Sequence, residues 1–148
     1  MAYQIKKRNH YVEQLELVDE AGRVVHALNI DLDPGAVAED LSRKYLDLVK
    51  TKEEVDCLKL EKPEELVEAY ERLGNAAISM IAAVFGKENT EVILKFYDSR
   101  YNDLILEVVP FIRDVVVPEV RRMAQEQRKE VLKKYNRKTR RSFGKVKG

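Results

Sequence analysis

The stretch Tyr97–Met123, YDSRYNDLILEVVPFIRDVVVPEVRRM, is more densely apolar than any other part of the chain and sets what the other elements must supply. Between Asp103 and Pro118 only Asp103, Glu107, Arg113 and Asp114 interrupt it. At 3.6 residues per turn, Tyr101, Leu104, Ile105, Val108, Ile112, Val115 and Val116 share one broad face, with Asp103, Glu107 and Asp114 in a polar seam behind. Val and Ile also suit a strand, yet the charges do not alternate with period two and Pro110 would interrupt a ladder. The expectation is therefore a helix, kinked or broken at Pro110 and again at Pro118. Such a segment has to be covered by other elements.

Working outward towards the N-terminus, Leu66, Val67, Tyr70, Leu73, Ala77, Met80, Ile81, Val84 and Phe85 form an apolar stripe on a helix opened by Pro63 and closed at Gly86. The small residues Gly74, Ala76, Ala77, Ala82 and Ala83 allow close approach by a neighbour, with the central segment as the expected one. A further short helix, capped by Asn89 or Thr90, carries Val92, Ile93 and Phe96, and Asp98 or Ser99 restarts the chain before Tyr101. Before these, DLDPG (31–35) predicts an N-cap at Asp33 with Pro34 in the first turn. Val37, Leu41, Tyr45, Leu48, Val55 and Leu58 then mark an amphipathic helix, with a bend expected near Thr51. Tyr11–Val18 and Val24–Ile30, separated by a five-residue loop containing Gly22, read as a β-hairpin. Tyr11, Leu15 and Leu17 face one way on the first strand, as do Val24, His26, Leu28 and Ile30 on the second.

The chain is thus expected to be a helix-dominated α+β protein, an N-terminal β-hairpin packed on a bundle of four to five helices. Its 148 residues suffice for one domain that buries roughly two thirds of its unfolded surface. Residues 1–135 are expected to form it, and residues 136–148, NRKTRRSFGKVKG, which contain no acid and two glycines, to be a disordered basic tail. Overall charge is +1 but unevenly placed. From Arg121 onward twelve Lys or Arg stand against Glu126 and Glu130, net +10, whereas residues 1–120 hold fifteen bases and twenty-four acids, net −9. An acidic body with a basic end points to an acidic partner surface: nucleic acid, another protein, or a second copy.

Signatures of chemistry are missing from the sequence. No Gly-rich phosphate loop, nucleophile elbow, H-x-x-x-H pair or cysteine cluster occurs, so no catalytic residue, metal site or cofactor is assigned and an enzyme is not expected. The adjacent acids Glu53 and Glu54, or Glu64 and Glu65, read as solvated helix surface. Cys57, the single cysteine, reads as a small packing residue and His26 as a packed or edge residue. No apolar run follows Lys6, Lys7 and Arg8, and no uncharged stretch approaches the ~20 residues that span a bilayer, so no membrane association and a cytoplasmic location are expected. The candidate partner-binding residues are Tyr97 and Tyr101, four apart and suited to anchoring a partner or packing the core, and the basic residues Arg121, Arg122, Arg137, Lys138, Arg140 and Arg141. The last four, with Phe143, suit phosphate contacts and one stacking aromatic, so a small nucleic-acid-associated regulatory protein is the alternative reading; a solvated tail is the plainer one.

The order of elements, with Y-D-x-x-Y at Tyr97, Asp98 and Tyr101 and the apolar-Pro-apolar run through Pro110 and Pro118, resembles the small tail assembly chaperones of long-tailed phages and prophages of Gram-positive bacteria. The resemblance covers most of residues 11–131 and lies in pattern and phrasing. It implies a non-enzymatic α-helical protein of the bacterial host cytoplasm that self-associates, binds the tape measure protein and keeps it soluble until the tail tube forms. It also implies a longer frameshifted form that reaches the tail tube protein. Gly144 and Lys145 fit a run of G followed by a run of A, the kind of slippery sequence such a shift uses. The basic ending departs from the family pattern.

Overall fold

The computed structural model describes residues 2–6, 8–57 and 63–147, and for residues 136–147 the backbone alone. Leu58, Glu61 and Lys62, which figure in the expected helix boundaries, lie outside the described residues. The architecture is helix-dominated, with an N-terminal two-stranded antiparallel hairpin followed by helices. Among the described residues no helix is long and apolar enough to cross a membrane.

Strands β1 (Tyr11–Val18) and β2 (Val24–Leu32) pair with Tyr11 opposite Leu32 and Leu15 opposite Leu28, and a bulge falls between Leu17 and Val18. Asp19 builds the loop. Its Oδ1 accepts the N–H groups of Ala21 and Arg23, both at 2.9 Å, and Gly22 takes the left-handed φ of +82° that favours glycine. Tyr11, Leu17, Leu28, Ile30 and Leu32 are buried, whereas Val24 and His26 are exposed because the bulge and loop carry that end of β2 off the helices. Asn89 donates to the carbonyl of Asn29 at 3.4 Å and so ties the hairpin to the helical body.

Asp33 caps α1 (Pro34–Cys57) as expected, accepting from the Gly35 N–H at 3.1 Å through its side chain. Ala38, Leu41 and Leu48 are buried, and Val37, Tyr45 and Val55 pack against the core from its margin. Cys57 is exposed at the end of α1, not packed. The helical stripe predicted on α2 (Pro63–Phe96) holds from Leu73 to Phe85, but Val67 and Tyr70 are exposed and Ala69 takes the inward position. Gly86, at the non-helical φ 80° and ψ 169°, interrupts α2 as expected, and the two helical parts meet there at a kink. Thr90 is not a cap. It is buried and donates its hydroxyl to the Gly86 carbonyl at 2.6 Å, one turn back. The C-terminus of α2 is a Schellman closure: Ser99 N–H donates to Leu94 O at 2.8 Å and Asp98 N–H to Lys95 O at 3.2 Å, with Asp98 and Ser99 at φ 52° and 58°.

The central segment is neither broken nor simply kinked. Helix runs without interruption over residues 101–147, as α3 (Tyr101–Asp103), a π segment (Leu104–Val108), α4 (Val109–Phe111), a second π segment (Ile112–Val116) and α5 (Val117–Lys147). Each π segment lies just before a proline. Pro110 and Pro118 have no N–H and their rings crowd the carbonyl four residues back; a wider turn relieves that crowding, and the preceding residues, Val109 and Val117, donate instead to Leu104 and Ile112, five residues back. The sequence repeats with the same spacing, LILEVVPF at 104–111 and IRDVVVPE at 112–119. Two α turns take ~7.2 residues, and the extra residue of a π turn raises this to ~8, so an eight-residue repeat returns to the same face. Equivalent residues are accordingly buried in pairs: Leu104 with Ile112, Val108 with Val116, Val109 with Val117. A regular helix misplaces some of these. Val115, expected in the core, is exposed, and Val109 and Val117 replace it.

Three long helices thus stand where four to five are expected, because the two parts of α2 stay joined across the Gly86 kink and the two prolines are absorbed. α1 packs against both α2 and α5. The backbone of α5 stays helical through Lys147, beyond residue 136 where composition alone predicts a disordered tail; Lys and Arg are good helix formers and the first glycine after Pro118 is Gly144.

Candidate functional site

Two grooves border α1, and exposed apolar side chains stand at both. The first lies between α1 and α5, about 420 Å³ in volume, with Ala38 and Ala124 among its apolar lining. Residues 39, 42, 43 and 46 of α1 follow helical spacing, as do 121, 124, 125 and 128 of α5, so the two stripes run alongside each other. Arg43, Arg121 and Arg128 make the groove basic, and Leu46 stands 64% exposed beside them. Arg128 holds Glu39 at 2.7 Å, whereas no carboxylate among the described residues pairs with Arg43 or Arg121. The second groove, about 410 Å³, lies between α1 and the bulged segment. Leu48, Leu73, Val109 and Pro110 line it, Lys52, Asp56 and Arg113 add charge to its lining, and Leu106 is 68% exposed there.

The sequence-predicted site residues divide three ways. Tyr97 and Tyr101 serve packing. The Tyr97 ring stands edge-on to Phe96, centroids 4.9 Å apart, and burial beside Glu107 and Asp103 pushes its hydroxyl pKa up. Tyr101 packs on Gly74 so closely that a Cβ built on that glycine would lie 2.5 Å from the ring, which realises the expected close approach of the central segment to the small residues of α2. Arg121 lines the basic groove. Arg122 is engaged on its own helix by Glu119 and by Glu126, the latter at 2.6 Å, and its guanidinium holds the Glu119 carboxyl below its ordinary pKa. Arg137, Lys138, Arg140 and Arg141 are on the helical backbone of α5, and their side chains lie outside the described residues.

Sequence reasoning missed Arg43, Leu46 and Leu106. A signal was present in the two leucines, because both are out of phase with the apolar stripe of their own helix, where an apolar residue has no core to enter. No comparable signal marks Arg43, one charge among many on α1.

Beyond Gln127 the α5 side chains through Tyr135 are exposed, including Val131 (59%), Leu132 (58%) and Tyr135 (67%). Arg8 reaches across to Glu130 at 2.8 Å, so the N-terminal segment touches this part of α5 at its surface. Among the described residues no group of three or more His, Cys, Asp or Glu is placed to hold a metal ion. The geometry suits docking of another chain: parallel helical stripes, apolar lining and charges at the surface. The sequence matches no protein-family model, and comparison with curated proteins and with solved structures gives no match.

Proposed function

We propose that the protein is a non-enzymatic assembly chaperone of the phage tail type, which self-associates and covers an apolar helical client, the tape measure protein, in the bacterial cytoplasm until the tail tube forms. The observation that carries the reading is the pair of exposed leucines, Leu46 and Leu106, at grooves on either side of α1. Exposed apolar side chains beside apolar-lined grooves are what a helix-in-groove contact uses.

The test is co-expression with a phage tape measure protein. The client should remain soluble and co-purify with the wild-type chain, and Leu106→Glu should reduce the soluble fraction without changing the melting temperature of the chaperone. A client equally soluble without the chaperone would end this reading. A longer form that reaches the tail tube protein would appear in the coding DNA as a slippery run at Gly144–Lys145 followed by an overlapping frame.

One observation favours the second reading, a nucleic-acid-associated regulatory protein: Lys129 and Lys133 are exposed on the part of α5 that leaves the body. That reading requires retention on DNA or RNA that falls steeply with salt and disappears when residues 136–148 are deleted. The chaperone reading requires retention to be weak and lost by physiological salt in the full-length chain as well.

A further inference from the structure

We propose that the acidic first turns of α2 in one copy of this chain dock in the α1–α5 groove of the next, and that repeating this contact builds a head-to-tail oligomer. The proposal deepens the reading above, resting on it for self-association and supplying the contact. Both surfaces are incomplete alone. Arg43 and Arg121 face the groove without a carboxylate partner among the described residues, and Leu46 is exposed beside them. The Glu39 carboxylate, held by Arg128 at 2.7 Å, shows the chemistry the groove accepts.

The start of α2 is the complement. Glu64, Val67, Glu68 and Glu71 share one helical face, with Tyr70 at its side, and all five are exposed. Val67 is 57% and Tyr70 43% exposed, whereas Ala69 and Leu73 on the other side of the helix are buried. Carboxylates around an apolar pair meet guanidiniums around a leucine. Acid and apolar side chain on one helix thus match base and apolar side chain between two others, which is charge complementarity in a helix-in-groove arrangement.

The surfaces cannot satisfy each other within one molecule. Arg72 and Glu54, 3.8 Å apart, place the start of α2 beside the end of α1, while Arg128 and Glu39 place α5 beside the start of α1. Glu39 and Glu54 are fifteen residues apart, ~22 Å along the helix. Docking between different patches at opposite ends is heterologous, so it continues from copy to copy until it closes a ring or makes a filament.

Sedimentation velocity at low salt tests the contact with two double variants at exposed positions, Arg43→Glu with Arg121→Glu and Glu68→Arg with Glu71→Arg, whose folding is checked by thermal melting. The wild type should assemble with rising concentration. Each variant should remain monomeric, its self-affinity weakened by about 100-fold or more through like-charge contact. Mixed one to one, the variants should assemble again, because the intact acidic face of one meets the intact groove of the other and the reversed, basic face meets the reversed, acidic groove. A monomeric wild type, a mixture that stays monomeric, or a groove variant that assembles like the wild type would overturn the contact. So would a monomeric wild type that captures DNA through Arg43 and Arg121. A monomer that still keeps the client soluble sinks this contact and leaves the chaperone reading standing; an oligomer built as described that fails to hold the client does the reverse.

Discussion

Residues 104–117 and residues 128–135 belong to one continuous helix, yet they live in opposite surroundings. Leu104, Val108, Val109, Ile112, Val116 and Val117 are each at most 8% exposed, whereas Val131, Leu132 and Tyr135 are at least 58% exposed. Secondary structure does not separate them. The difference is how deeply the chain covers them: α2 packs on the bulged segment, whereas the far part of α5 is met at its surface, as by Arg8 at Glu130. In the first region apolar residues make the fold; in the second, charged residues outnumber the apolar ones, and Val131 and Leu132 stand open to solvent.

The sharpest way to break that contrast is to put the same charge into each region. Val108→Asp buries an unpaired carboxylate in the core and should cost about 3–5 kcal/mol. Val131→Asp should change stability by no more than ~0.5 kcal/mol. Urea denaturation of the two variants measures both, and comparable shifts in midpoint would mean that α5 is covered beyond Gln127.

A smaller effect is expected where α2 meets the start of this helix. Gly74→Ala places a methyl 2.5 Å from the Tyr101 ring, an overpacking that costs about 1–3 kcal/mol. Replacing glycine inside a helix returns up to ~1 kcal/mol, so a net loss of about 1–2 kcal/mol is expected. In a Tyr101→Leu background the same change should become neutral or stabilising. A loss that persists there would place its cause outside the ring contact.

Much of this was legible in the residues. The hairpin, the Asp33–Pro34 start of α1, the Gly86 bend and the close approach at Gly74 each follow from local chemistry that tertiary packing has no reason to override. The two prolines misled, because a proline reads as a helix break only when the turn before it keeps α geometry. The eight-residue spacing from Pro110 to Pro118 held the clue, since it matches one α turn plus one π turn and keeps both repeats on the core face. Val67 and Tyr70 misled for another reason: periodicity shows which residues share a face, but not whether a neighbour reaches that far along the helix. The basic groove was the least legible part. Arg43 and Arg121 are 78 positions apart and meet only through the packing of α1 on α5.

Within the buried side of the comparison, Tyr11 carries one defect. Its hydroxyl is buried with no hydrogen-bond partner among the described residues, and its pKa is raised by that burial and by Glu13 and Glu119. Tyr11→Phe removes the unsatisfied group and keeps the ring, so a gain of about 1 kcal/mol is expected. A loss on thermal melting would show that the hydroxyl is satisfied in solution.

On the exposed side, Glu119 and Glu130 are held below their ordinary pKa of 4.5 by hydrogen bonds from Arg122 and Arg8. Their folded pKa values lie below the unfolded ones, so the stability they add is present above pH 4.5 and is lost as the pH falls through the folded values. Because these pairs are open to solvent, their contribution should be small and screened by salt. Arg8→Ala should therefore lower the melting temperature slightly at pH 7 in low salt and not at all below the folded pKa of Glu130. A larger effect in acid than at neutral pH would reverse the sign of this linkage.

The smallest effect is expected at the end of α5. Deleting residues 136–148 should leave the stability of the rest within ~0.5 kcal/mol, because the helix has already left the core and residues 128–135 are exposed around their whole circumference. NRKTRRSFGKVKG contains no acid to pair with its six bases, so neighbours at i and i+4 repel, and Gly144 weakens the last turns. An isolated helix of this length is marginal in water, so its amides should exchange much faster than those of Val120 and Ala124. Hydrogen exchange on the monomer and on the oligomer then separates two origins of order. Protection of 136–147 only in the oligomer would mean that a neighbouring copy covers the helix, whereas protection in the monomer equal to that at Val120 would show that α5 orders its own end and that the contrast between the two regions is one of burial alone.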